Sequence, residues 1–138
     1  MENNKMGVTK KRKILVQLFY RYLLMNNDNS YIIQDLLDET QLKNEEKIND
    51  EMMENIKVIL KEKEDLIDEI AFKLSDDWNW DRIPFLIQAI LLVGIFEIKY
   101  TQTPKAVTIN EMINISKEFE PDFNYQFINA ILDKIIKF

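Results

Sequence analysis

Between Ile83 and Ile98 only Gln88 and Glu97 interrupt an otherwise apolar run. A stretch of that kind predicts a helix that is apolar on most of its sides, and such a helix needs neighbours all around it. It falls short of a membrane span, so it marks the centre of a helical domain. The flanking sequence agrees. The chain has only two glycines and three prolines, alternating strand patterns are scarce, and apolar residues recur at helical spacing.

Seven helices follow from that spacing, and no sheet. The first spans about Thr9 to Met25, with Leu15, Leu18, Phe19 and Tyr22 on one stripe and a polar break at Asn26–Asn29. A short second helix runs from Ser30 to about Glu39. A third starts at Asn44 or Asn49 and reaches about Glu62, and a fourth covers about Glu64 to Leu74. The loop SDDWNWDRIP leads into the fifth, central helix, whose first turn suits Pro84. Gly94 within it is unfavourable by about 1 kcal/mol, which a closely packed neighbour would explain. Thr103-Pro104 opens the sixth helix and Pro121 ends it; the seventh runs from about Asn124 to Ile136. The expected architecture is all-α, a single domain of 138 residues built from helical subdomains of about 9–75 and 80–138.

With neither cysteine nor histidine, the chain has no disulfides, no thiolate metal site and no imidazole base. It carries no glycine-rich phosphate loop and no metalloprotease or nucleophile-elbow motif. Asp76-Asp77 and Glu62, Glu64 and Asp65 could be imagined as metal ligands, but acidic runs on helical proteins are ordinarily solvated faces. The expectation is a cytoplasmic protein that is not an enzyme and needs no cofactor, with no membrane segment.

Charge is distributed unevenly. Residues 1–25 hold six basic side chains against one acidic, giving +5, while the remainder holds 12 against 23, giving −11. The basic arm centres on Lys10, Lys11, Arg12 and Lys13. At 100° per residue, Lys10, Lys13, Gln17, Tyr20 and Arg21 share the face opposite the apolar stripe. Arg12 falls on the flank, and Lys11 lies over the stripe at the first turn. Cations attract phosphates and an exposed tyrosine ring can stack on an unpaired base, so single-stranded RNA suits this face best. The alternative is a solvated helix start whose lysines oppose the helix dipole, with Tyr20 a core or interface residue.

The C-terminal half contains DWNWDRIPFLIQAILLVGIFEI, TPKAVTINEMINISKEF and FINAILDKI in that order. Together with Arg12, Val16-Gln17 and Phe19-Tyr20 near the start, these resemble the NusB transcription-antitermination family, most strongly over residues 78–138. The matching positions are Trp78, Arg82, Ala89-Ile90-Leu91, Phe96-Glu97-Ile98, Pro104, Val107, Ile109-Asn110-Glu111, Phe119, Phe127, Asn129 and Leu132-Asp133. The resemblance implies a seven-helix fold in two subdomains. It also implies binding of boxA-type single-stranded RNA in ribosomal-RNA leader transcripts, jointly with the ribosomal protein NusE. Other Nus factors and RNA polymerase would complete the assembly. RNA contact carries over to Lys10, Arg12 and Tyr20, and Asp81 and Phe127 match positions near the family's RNA surface. For Phe127 a core role is the alternative.

The resemblance has departures. The family's charged pair before the AIL segment and its basic residue after it are replaced by Ile87-Gln88 and Leu92. Uncharged residues there would suit a buried self-association face, which raises a homodimeric protein-interaction module as one alternative. A second is the NusB-like RNA-binding domain of ribosomal-RNA cytosine methyltransferases, although no glycine-rich cofactor motif is present.

Overall fold

The computed structural model describes residues 7–26, 28, 30 and 50–137. Among these are five α-helices, one short 3-10 turn and no strand: α1 (Val8–Leu24), α2 (Asp50–Lys73), the turn (Trp80–Arg82), α3 (Phe85–Tyr100), α4 (Lys105–Phe119) and α5 (Gln126–Asp133). The expected second helix, apart from Ser30, and the expected start of the third lie outside the described residues.

The central helix is where the sequence puts it. Every residue of α3 from Ile87 to Ile98 is buried, and α1, α2, α4 and α5 all pack against it. Its entry is set by Pro84, whose carbonyl accepts the Gln88 N–H at 2.9 Å. Pro104 plays the same part for α4, accepting from Val107 and Thr108 at 3.0 and 3.1 Å. Both prolines therefore stand one position before the first helical residue, where their missing N–H costs nothing. Gly94 has the tight neighbour its retention called for. A Cβ there would meet Leu132 Cδ1 at 3.0 Å and Met112 Cγ at 3.5 Å, so the glycine lets α4 and α5 close on α3.

On α1 the apolar stripe is buried as expected, with Val16, Phe19 and Tyr22 wholly enclosed. The helix ends at Leu24, and beyond the capping Met25 the chain turns at Asn26, which adopts φ 61°, a left-handed conformation that asparagine tolerates. Its N–H bonds back to the Leu23 carbonyl.

Two expectations are corrected here. The helices predicted on either side of Lys63 are one continuous α2 of 24 residues. Met52, Ile56, Ile59, Leu66 and Ile70 hold a single helical phase through the polar stretch KEKED, where no glycine or proline intervenes. Lys63 occupies that phase itself. Its ammonium hydrogen-bonds the Tyr22 hydroxyl and lies 4.9 Å from the centre of the Tyr22 ring, so its stem continues the buried stripe. The second correction concerns α3. Ile87 and Leu92 are fully enclosed in the chain's own core, so they offer nothing to a self-association face. The buried Gln88 turns its amide to the Trp80 carbonyl at 2.8 Å and pins the 3-10 turn to the helix.

α5 is shorter than expected. Past Asp133 the chain tightens, with Lys134 and Ile135 bonding three residues back, and Lys137 reaches the Ile98 and Thr101 carbonyls.

Candidate nucleic-acid interface

The outer face of α1 is built as its spacing predicts. Lys10 and Gln17 are exposed, and Lys13, Tyr20 and Arg21 are half-buried along the same side. The Tyr20 ring rests partly against the core, which fixes its orientation and leaves part of it open. Lys11, half-buried, turns toward α2 and pairs with Glu51 at 3.3 Å; Lys13 pairs with Glu118 of α4 at 2.8 Å.

Arg12 does not lie on the flank. Only 6% of it is exposed. Its Nε donates to both carboxylate oxygens of Glu97 at 2.9 and 3.0 Å, its Nη2 to Glu97 Oε2 at 2.5 Å and its Nη1 to Glu111 at 3.4 Å. The Thr108 hydroxyl donates to Glu97 at 3.1 Å, and the Thr9 hydroxyl donates to Glu111 at 2.8 Å. The hydrogen bonds that Arg12 donates to Glu97, and then the charges of Glu97 and Glu111, hold the guanidinium pKa above its ordinary value against the opposing effect of burial. Arg12 thus ties α1 to α3 and α4 and is turned away from the surface its neighbours present.

Two signals in the sequence mark this pairing. Arg12 stands three, seven and ten residues before Leu15, Phe19 and Tyr22, in phase with the stripe. Glu97 is the one acidic residue in the central apolar run, and a buried carboxylate calls for a buried cation.

A second surface forms where the loop before α3 meets α5. Trp78 and Phe127 lie with ring centres 4.9 Å apart and tilted by 46°, and Phe123 meets Phe127 edge-on at 5.7 Å. Phe127 is half-buried between them, while Trp78 remains 37% exposed. Asp81 and Arg82 are exposed on the adjoining 3-10 turn, which the Asn79 side chain caps by accepting the Arg82 N–H at 3.2 Å. Asp81 and Phe127 are candidates from the sequence, where Trp78 enters only as a matching family position. Phe123 lies in the turn that leads into α5, four residues before Phe127, and nothing in the sequence spacing marks it. Chemically, the two surfaces offer partly exposed aromatic rings, cations and side-chain amides.

Among the described residues no group of acidic side chains is arranged to hold a metal ion, and no helix is long and apolar enough to cross a membrane.

The family model described as NusB family matches residues 9–137. The chain belongs to the NusB family. Its relatives include the transcription antitermination protein NusB of Nitratiruptor sp., 31% identical over 91% of this chain and 88% of that one. NusB of Campylobacter concisus is 36% identical over 90% and 92%. Among solved structures, T. maritima NusB superposes with a TM-score of 0.78 at 24% identity, covering 95% of this chain and 91% of that one. A complex of NusB and NusE with double-stranded RNA contains a chain that superposes at 0.73 and 18% identity, covering 94% and 97%. These superpositions establish that the helical arrangement is the NusB fold.

Proposed function

We propose that this NusB-family chain is a non-enzymatic, cytoplasmic RNA-binding adaptor. It binds boxA-type single-stranded RNA together with NusE and joins other Nus factors on RNA polymerase to suppress termination. Family membership across residues 9–137 carries the reading. The chemistry of the surface supports it: Lys10, Lys13 and Arg21 supply phosphate partners on the outer face of α1, and Gln17 and Tyr20 supply an amide and a ring beside them. Lys11 borders this face from the α2 side. Trp78 and Phe127, with Asp81 at their edge, offer a second place for an unpaired base to stack. Arg12 acts on RNA through the placement of α1, since its own donors face Glu97 and Glu111.

Titration of a labelled boxA-type RNA with the protein alone, NusE alone and both together tests the reading. Binding that is much tighter with both proteins, and that weakens as salt rises, is expected. Absence of binding under all three conditions at low salt would overturn it.

A further inference from the structure

Three consecutive cations of the basic arm are matched with carboxylates from three other helices. Lys11 faces Glu51 of α2, Arg12 faces Glu97 of α3 and Glu111 of α4, and Lys13 faces Glu118 of α4. The Arg12 pair is buried and structural. The other two are different in kind: the Glu51 and Glu118 side chains remain 71% and 50% exposed over lysines that are 24% and 33% exposed, so each carboxylate meets solvent at the edge of the proposed RNA surface.

From this arrangement we infer that Glu51 and Glu118 are built-in competitors for the phosphate backbone, limiting how strongly α1 holds RNA by charge alone. The inference rests on the RNA-binding reading and adds a restraint on that same surface. A phosphate that takes Lys11 or Lys13 has to replace a carboxylate already there. The freed carboxylate then gathers a cation from solution, so the exchange releases almost no net counterion. Without the carboxylate, each lysine–phosphate contact releases its counterion, and affinity for a single strand gains a salt dependence of about 0.7 in log–log slope per contact. Any polyanion meets this restraint. An RNA that also engages Tyr20, Trp78 and Phe127, or that arrives with NusE, has contacts the restraint does not touch. The consequence is that stacking and the protein partner, rather than the lysine-rich start of α1, determine which RNA stays bound.

The test compares three proteins: wild type, the double variant Glu51→Gln/Glu118→Gln, and a control, Glu64→Gln/Asp68→Asn. The control makes the same change in net charge on exposed positions of α2. Glu64 lies thirteen residues beyond Glu51, about 20 Å along the helix. Each protein is titrated with a labelled oligouridylate from 50 to 300 mM salt, and with boxA-type RNA in the presence of NusE. Exposed pairs of this kind correspond to modest factors each, so the double variant is expected to bind oligouridylate about three- to tenfold more tightly at 50 mM. Its salt slope should steepen by about 1.4, two contacts at about 0.7 each, while the control stays near wild type. Equal gains in the control and the double variant would overturn the inference, because net charge alone would then account for them. No gain in the double variant, with wild type still binding boxA-type RNA and NusE, would overturn the inference and leave the RNA-binding reading standing. If none of the three proteins bound boxA-type RNA with NusE at low salt, both would fall.

Discussion

At the scale of single residues, Arg12 separates structure from recognition within one basic run. Lys10, Lys11 and Lys13 keep their ammonium groups toward solvent or solvated carboxylates, whereas Arg12 is enclosed with its guanidinium forked onto Glu97. Arginine suits that position because its planar donors meet a carboxylate at two points and it stays charged when buried. Removing one partner of such a pair strands the other without compensation, at a cost of about 3–5 kcal/mol. Arg12→Ala is therefore expected to destabilise the fold by about that amount in urea denaturation. Gln17→Ala, one turn further on the exposed side, should change stability by no more than about 0.5 kcal/mol. Equal, small effects for the two would show that the Arg12–Glu97 clamp contributes little.

At the scale of elements, much of the helical layout is legible in the sequence, and, the early end of α5 apart, the misses share one physical cause. The central α3, the proline-marked starts of α3 and α4 and the stripe of α1 all follow from apolar spacing and proline chemistry. What the spacing misplaced were charged residues in apolar phase. Lys63, in phase with Ile56, Ile59 and Ile70, reads locally as the gap between two helices, and Arg12, in phase with Leu15 and Phe19, reads as a flank. In each case the side chain satisfies its charge at a partner from a distant part of the chain, Tyr22 for Lys63 and Glu97 for Arg12. Such a partner is invisible to any local window. The aromatic contact between Trp78 and Phe127 went unseen for the same reason, since it joins residues far apart in sequence. Continuity of α2 has a direct check. Lys63→Pro in an unbroken helix removes a backbone bond and introduces a clash, costing about 3 kcal/mol or more. Thermal melts of that variant should show a large loss of stability; near-wild-type melting would indicate a break between two helices at Lys63.

For the whole molecule, the acidic body and the basic arm are not independent regions. The excess negative charge outside residues 1–25 includes the carboxylates that fold back onto α1, so the arm's +5 is partly answered from within. In the proposed function, RNA recognition depends on a shaped surface, with cations and Tyr20 on α1 and the Trp78–Phe127 pair near α5. The most direct test of that claim is photo-crosslinking of a 4-thiouridine-substituted boxA-type RNA to the complex with NusE, with the crosslinked residues identified by mass spectrometry. Crosslinks are expected at Tyr20 and at Trp78 or Phe127, and none at Arg12. Crosslinks confined to the acidic outer face of α2, from a complex that binds tightly, would contradict that claim.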